Sequence, residues 1–246
     1  MSVLVITGTG TEVGKTAVVA ALAAVAAAGG QRVAVLKPAQ TGVAAHEPGD
    51  LAEVVRLAGP VTTRELRRYR EPLAPATAAR RAGEPPVRPQ QVAAAAAELH
   101  RDHDLVLVEG AGGLLVRFDD EGSTIADAAW ALNAPVLVVA QAGLGTLNTT
   151  ALTAEALLRR GLESVGVVVG RWPAEPDLAA RCNLVDLPEA AGAPLLGALP
   201  EGATALDRAR FLEVATAALS PWFGGTFDPE RFTEEHAAPH AHQPDQ

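Results

Sequence analysis

The sequence predicts an α/β domain with a doubly wound, mostly parallel sheet, because short β-branched runs alternate with helix-compatible segments. Most of these runs are continuously apolar, which is typical of strands buried on both faces. A glycine-rich turn follows the first of them. Six runs are expected to be strands, namely Val3–Thr7, Arg32–Lys37, Leu105–Glu109, Pro135–Ala140, Val165–Gly170 and Leu195–Leu199.

Helix-compatible segments separate the predicted strands. They are Lys15–Ala28, Asp50–Leu57, Pro89–His100, Thr124–Leu132, Thr146–Arg160 and Leu206–Leu219. The stretch from Gly42 to Pro89 is rich in proline, arginine and alanine. We interpret it as an excursion at the carboxyl side of the sheet, where α/β proteins bind ligands. Its arginines are expected to form a solvated helical face made of Arg64, Arg67, Arg68 and Arg70.

A length of 246 residues favours a single domain, which we assign to residues 1–220. Residues 221–246 form a polar, proline-bearing tail, which we expect to be disordered from His236 onward. The net charge of −9 argues against nucleic acid or an anionic membrane as a partner. The chain has one cysteine, and its apolar runs are too short to cross a membrane. These features predict a cytoplasmic protein.

The segment from Gly8 to Thr16 joins the first predicted strand to the first predicted helix. Its glycines allow successive N–H groups to point at one anion, and the helix start adds further free N–H groups. Lys15 offers a positive charge to the β- and γ-phosphates, and the Thr16 hydroxyl is a ligand for Mg²⁺. Five residues separate Gly8 from Gly14, whereas the standard loop has four. The arrangement predicts a P-loop NTPase-like domain, and a glycine-rich turn with a chance lysine is the alternative.

Ionisable residues end two predicted strands and begin one predicted helix. Glu109 precedes the glycine-rich segment Gly110–Gly113, and an acid in this position can hold Mg²⁺ or simply end the strand at a turn. Lys37 ends the second strand, where a buried charge is costly unless it faces a site, although it could also point to solvent. Asp50 is expected to be a helix N-cap, unless its loop folds back and lets it bind Mg²⁺.

A second glycine-rich turn, Gly143–Gly145, leads into the predicted helix at Thr146. The free N–H groups of this helix start could hold a carboxylate, and capping by Thr146 or Asn148 is the alternative. Cys182 and Trp130 are expected to be packing residues. The sequence offers no convincing pair of a nucleophile with a histidine.

Four segments together resemble the motif series of the ATP-dependent dethiobiotin synthetases. They are Thr7–Thr16, Lys37–Gly42, Val108–Gly113 and Leu144–Asn148, which occur in the family's order. The longer P-loop is itself a trait of that family. The resemblance implies a cyclo-ligase of biotin biosynthesis that forms the ureido ring of dethiobiotin from 7,8-diaminononanoate and carbon dioxide. ATP would be the co-substrate and Mg²⁺ the cofactor.

The resemblance also implies roles for individual residues. Lys37 and Lys15 would be catalytic, while Thr16, Asp50 and Glu109 would hold Mg²⁺. The phosphates would be bound by Thr11, Glu12, Val13, Gly14, Lys15 and Thr16. The diamine and its carbamate would contact Thr41, Gly110, Ala111, Gly112 and Gly113. Leu147 and Asn148 would hold the substrate's far carboxylate in the site of a second subunit, which implies a homodimer.

The chain departs from the family where the nucleotide base is bound. The family often has an Asn-Asp pair after the fifth predicted strand, whereas here Gly170 is followed by Arg171 and Trp172. We expect the base to be bound by the backbone around Gly170 and by Leu199, Pro200 and Glu201. The preference for ATP over other nucleoside triphosphates stays open.

Two other functions are alternatives. One is a P-loop ATPase switch of the partitioning or metal-delivery type, which usually has a second lysine near the start of the loop, and residues 9–13 contain none. The other is an amide-forming ligase that acts on a larger acid. Such ligases generally carry a glutaminase domain, for which this chain is too short.

Overall fold

In the computed structural model, which describes residues 3–239, seven strands form one parallel sheet. In chain order they are β1 (Val3–Gly8), β2 (Val33–Thr41), β3 (Thr62–Tyr69), β4 (Leu105–Gly113), β5 (Val136–Ala140), β6 (Ser164–Trp172) and β7 (Leu195–Pro200). Their order across the sheet is β3-β2-β4-β1-β5-β6-β7. The predicted doubly wound sheet is therefore confirmed, and it is parallel throughout.

Helices cover both faces of the sheet. In chain order they are α1 (Lys15–Ala28), α2 (Asp50–Ala58), α3 (Pro75–Ala82), α4 (Pro89–His100), α5 (Ile125–Leu132), α6 (Thr146–Arg159), α7 (Leu178–Ala191), α8 (Arg208–Ala218) and α9 (Pro229–His236). Helices α1, α2 and α8 pack on one face, and α3, α4 and α5 pack on the other. No helix among residues 3–239 is long and apolar enough to cross a membrane.

Strand β1 shows why the predicted strands are continuously apolar. Leu4 and Ile6 contribute to the core under α1, while Val5 contributes to the core on the opposite face. Successive side chains of a strand point to opposite faces, so a central strand between two helical layers has to be apolar at every position. Because all the strands run parallel, their carboxyl ends lie at one edge of the sheet.

The arginine-rich stretch is a strand, and the prediction of a solvated helical face is wrong. β3 lies at the edge of the sheet and pairs only with β2. An edge strand tolerates charged side chains because one side of it stays open to solvent. Arg64 forms an ion pair with Glu98 on α4, and Arg68 forms one with Glu65 of the same strand.

Residues beyond 220 continue into helix α9, which packs through Phe232 and His236 against the Trp172 ring at the end of β6. His236, which was expected to begin the disordered end, is the last residue of this helix. Residues 237–239 follow it without regular secondary structure, and the rest of that expectation concerns residues 240–246, which lie outside the described part of the chain. The packing roles predicted for Trp130 and Cys182 are wrong within the single chain. Both residues are exposed, Trp130 to 70%.

Candidate active site

A cleft of about 780 Å³ lies at the carboxyl edge of the sheet. The carboxyl ends of β2, β4, β6 and β7 line it, together with the loop that follows β1, as expected for the ligand site of a parallel α/β sheet. The predicted site residues that line it are Thr11, Glu12, Gly14, Lys15, Thr16, Lys37, Thr41, Asp50, Glu109, Ala111, Gly112, Gly170, Pro200 and Glu201. Residues from distant parts of the sequence thus meet in one cavity.

The other predicted site residues lie outside this lining. The side chains of Val13 and Leu199 are buried in the core, so only their backbone is available to a ligand. A Cβ atom on Gly110 would lie 3.3 Å from the Ile6 carbonyl oxygen, so this glycine permits close packing of β4 on β1. Gly113 packs in a similar way against the carbonyl oxygen of Gly8.

The loop between β1 and α1 is fixed by its backbone conformation and by a backbone hydrogen bond. Gly14 has a φ of +96° and caps α1, whose first residue is Lys15. The Thr9 N–H donates to the Val139 carbonyl at 2.9 Å, which ties the loop to β5. A helix start that directly follows such a loop offers free N–H groups and the positive end of the helix dipole to an anion.

Lys15 is a nearly unpaired cation at the floor of the cleft. Its Nζ donates to the Gly10 carbonyl at 2.8 Å and has no carboxylate partner within residues 3–239. Burial and then the nearby charge of Lys37 lower the pKa of Lys15 to about 8, and the more distant carboxylates of Glu109 and Asp50 only partly oppose this. The charged form is therefore poorly stabilised here, and a bound anion would stabilise it.

Lys37 lies between two carboxylates. Its Nζ is 2.5 Å from Asp50 Oδ2 and 2.7 Å from Glu109 Oε1, and the residue is only 3% exposed. Burial by itself would lower the pKa of Lys37, but the charges of Glu109 and Asp50 outweigh it and raise the pKa above its usual value. Lys37 is therefore a permanent cation that faces the cleft and not solvent.

Glu109 has the features of a metal ligand. It is fully buried; Oε1 accepts hydrogen bonds from Lys37 and from the Thr16 hydroxyl at 2.8 Å, whereas Oε2 has no partner in the described part of the chain. A buried carboxylate oxygen without a partner is costly, and a cation would satisfy it. Thr16, Asp50 and Glu109 together offer one hydroxyl and two carboxylates, which are the hard oxygen ligands that Mg²⁺ prefers. Within residues 3–239, no group of three or more His, Cys, Asp or Glu side chains could hold a metal ion.

Asp50 is brought to Lys37 by the loop before α2. The N-cap of α2 is Gly49 and Asp50 is the first helical residue, so the predicted N-cap role of Asp50 is wrong. The loop does fold back, as a magnesium role for Asp50 requires. Two residues of this region carry no recognisable signal in the sequence: Gln40, whose side chain holds this turn, and Arg171, which lines the cleft beside Gly170.

The start of α6 lies away from the cleft. Gly145 caps the helix without a side-chain hydrogen bond, and the Thr146 hydroxyl donates to the Gln141 carbonyl at 2.7 Å. The alternative of capping by Thr146 or Asn148 is therefore wrong, and the first N–H groups of α6 have no side-chain cap. Asn148 is exposed, and Leu147 is half-buried.

Comparisons with known proteins assign the chain to a family. A family described as an AAA domain matches residues 2–207. The ATP-dependent dethiobiotin synthetase of Saccharopolyspora erythraea is 73% identical over 92% of this chain and 98% of its own length. That of Streptomyces avermitilis is 68% identical, with 94% and 98% covered. That of Mycobacteroides abscessus is 48% identical, with 92% and 99% covered.

The similarity of this chain to solved structures concerns the fold alone. The septum site-determining protein MinD of Pyrococcus horikoshii, complexed with Mg-ADP, superposes with a TM-score of 0.51 at 16% identity, covering 91% of this chain and 88% of that protein. A chain of the Aquifex aeolicus MinC:MinD complex superposes with a TM-score of 0.54 at 14% identity, covering 82% of each chain. The P-loop NTPase-like fold is thereby confirmed. The near full-length similarity to the curated relatives is the stronger finding, and by it the chain belongs to the family of ATP-dependent dethiobiotin synthetases.

Proposed function

We propose that this chain is a cyclo-ligase of biotin biosynthesis, which uses ATP to form the ureido ring of dethiobiotin from 7,8-diaminononanoate and carbon dioxide. The observation that carries the proposal is the buried Lys37 cation next to the P-loop, in the same cleft as Lys15. A P-loop by itself indicates only a nucleotide. A second fixed cation beside it suits a reaction in which an anionic substrate attacks a phosphate.

The reaction requires three steps that these residues can serve. One substrate amine attacks carbon dioxide and loses a proton, which gives a carbamate. A carbamate oxygen then attacks the γ-phosphorus of ATP, so that ADP leaves and a carbamic–phosphoric anhydride forms. The second amine attacks the carbonyl carbon, loses a proton, closes the ring and expels phosphate. Because the nucleophiles belong to the substrate, no histidine base is needed, and no histidine among residues 3–239 lines the cleft.

Lys15 and Lys37 would each stabilise negative charge on a different part of the substrates. Lys15 extends from the start of α1 and would contact the phosphates, while Lys37 would contact the carbamate and the transferred phosphoryl group. Phosphoryl transfer depends mainly on positioning and on stabilising negative charge, which two fixed cations provide. Thr16, Asp50 and Glu109 would hold Mg²⁺, which neutralises phosphate oxygens when bound.

The diamine would lie between the ends of β2 and β4. Thr41 ends β2, and Ala111 and Gly112 of β4 line the same cleft. Gly112 has a φ of +70°, and a Cβ atom there would lie 2.9 Å from Val116 Cγ2. Within the proposed Gly110–Gly113 carbamate site, the backbone at Gly112 can come close to the carbamate, because this residue has no side chain. At the other end of the cleft, Gly170, Pro200 and Glu201 would contact the base.

We further propose that the active protein is a homodimer in the cytoplasm. Leu147 and Asn148 lie outside the cleft of their own chain, so they could reach a substrate only in the cleft of another chain. Exposed apolar side chains accompany them, with Leu144 at 89% exposure next to the start of α6. Large exposed apolar side chains clustered together favour a protein interface.

Two observations weigh against the switch-type ATPase as the alternative. Its loop lysine is absent from residues 9–13, and the similarity to MinD proteins extends to the fold alone. An amide-forming ligase for larger acids is disfavoured, because the match covers 98% or more of the length of relatives that are all named as dethiobiotin synthetases.

Purified protein is expected to produce dethiobiotin when it is given ATP, Mg²⁺, bicarbonate and 7,8-diaminononanoate. Mass spectrometry would detect the ring, and a coupled assay would measure one phosphate released for each ring formed. Omission of the diamine is the control. A phosphate release rate that is the same with and without the diamine would contradict the ligase function and favour the ATPase switch.

Nucleotide binding is expected to weaken as the pH rises above about 8. The pKa of Lys15 is about 8 in the nucleotide-free protein, so Lys15 is mostly charged below this pH and mostly neutral above it. Phosphates bind the charged form, so the dissociation constant of ADP measured without metal should increase by up to about tenfold per pH unit. The Lys15→Arg variant, whose guanidinium does not titrate in this range, should lose this dependence. A wild-type affinity that is constant between pH 7.5 and 9.5 would contradict the prediction.

A further inference from the structure

The loop between β2 and α2, residues 42–49, is held by two side chains that stand side by side in the sheet. Gln40 on β2 and Arg68 on β3 are Cα partners in the parallel register. We propose that they form a clamp, which fixes the start of α2 and so aims the Asp50 carboxylate at Lys37 and the magnesium position. This inference rests on the proposed function, because it assigns the clamp to a metal ligand of that function.

Gln40 replaces the missing side-chain cap of α2. The N-cap residue is Gly49, which has no side chain to accept a hydrogen bond from the first turn. Gln40 is only 4% exposed, and its Oε1 accepts the Asp50 N–H at 2.8 Å. A Cβ atom on Gly49 would lie 2.6 Å from that Oε1, so a larger residue here would displace the Gln40 amide.

Arg68 holds the rest of the loop by its backbone. Its guanidinium is fixed by Glu65 through two hydrogen bonds of 2.8 Å. The remaining Nη1 donates to the carbonyl oxygens of Ala44 at 3.0 Å and Glu47 at 2.6 Å. This geometry uses the planar fork of an arginine, which a lysine cannot reproduce. Arg68 is therefore a positioning residue, which acts on the loop and does not touch the cleft.

The two contacts matter because Asp50 directly follows the clamped loop. Its carboxylate lies 2.5 Å from Lys37 Nζ, and its own N–H is the group that Gln40 holds. Without the clamp, the loop and the first turn of α2 would move, and Asp50 with them. Loss of residues that orient metal ligands typically lowers metal affinity by about 10–100-fold.

The test measures Mn²⁺ binding in the presence of ADP by electron paramagnetic resonance, because Mn²⁺ takes the same oxygen ligands as Mg²⁺. Arg68→Ala is expected to weaken Mn²⁺ binding by about tenfold or more and to speed hydrogen exchange at the Asp50 amide. Arg68→Lys should rescue neither effect. Arg64→Ala, on the same strand and paired with Glu98, is the matched control and should leave both values unchanged.

A double-mutant cycle separates the clamp from the proposed function. If Arg68 acts through Asp50, Arg68→Ala will not weaken Mn²⁺ binding further in an Asp50→Asn background. An equal loss of Mn²⁺ affinity in both backgrounds would overturn the clamp. The proposed function would still stand if the wild-type protein forms the ring. If Asp50→Asn alone does not weaken Mn²⁺ binding, the metal role of Asp50 and the clamp both fail.

Discussion

Replacing Lys37 with alanine is expected to abolish ring formation and to destabilise the protein. The amine is the group we assign to the carbamate and the transferred phosphoryl group, and loss of one such donor lowers turnover by about 10²–10³-fold. The same change leaves Glu109 as a fully buried carboxylate without a cation. Breaking a buried pair by removing one partner costs about 3–5 kcal/mol of unfolding free energy. Chemical denaturation and the dethiobiotin assay would measure the two effects.

A second substitution separates the two effects of Lys37. In Lys37→Ala with Glu109→Gln, the buried carboxylate becomes a neutral amide, so most of the lost stability should return while ring formation stays absent. Lys15→Met is the comparison for the phosphate site. Lys15 has no carboxylate partner among the described residues, so this substitution should lower nucleotide affinity with little loss of stability. A Lys37→Ala protein that forms dethiobiotin at the wild-type rate would remove Lys37 from the mechanism.

The sheet could be predicted because its central strands carry a local signal. In β5 every position is buried, in β1 every position except Val3 is buried, and both strands are apolar apart from Thr7. β3 has no such signal, because it is an edge strand whose Arg64 and Arg68 are satisfied by ion pairs formed only after folding. Helix α7 was not expected either, because it contains Pro188. Proline inside a segment ordinarily argues against a helix.

The site was predictable as a set of residues but not as a set of contacts. Glycine-rich turns and strand-ending ionisable residues are visible in a sequence, and the order of Lys37 and Glu109 on neighbouring strands makes their pairing understandable. The roles assigned to these residues stay predictions. Gln40 and Arg68 could not be identified, because their task depends on which strand lies beside β2. That neighbour is decided by the whole topology, and no local pattern encodes it.

Gly170→Ala is expected to disrupt the nucleotide site by displacing the P-loop. A Cβ atom on Gly170 would lie 2.1 Å from the Val13 carbonyl oxygen and 2.6 Å from Val139 Cγ1. The contact is reciprocal, since a Cβ atom on Gly14 would lie 2.5 Å from the Gly170 carbonyl oxygen. The end of β6 therefore supports the backbone whose N–H groups would face the phosphates, and neither residue can gain a methyl group without separating the two.

Overpacking of this kind costs about 1–3 kcal/mol of unfolding free energy. A loop displaced by about 1 Å should lower ADP affinity by about 10–100-fold, because its N–H groups no longer converge on one anion. Gly143→Ala is the matched control, since a Cβ atom there meets nothing within 4 Å and should change neither quantity. If Gly170→Ala bound ADP as tightly as the wild type, the P-loop would have to tolerate this displacement. The contact with β6 would then be packing alone, and Gly170 could contribute to nucleotide binding only through its own contact with the base.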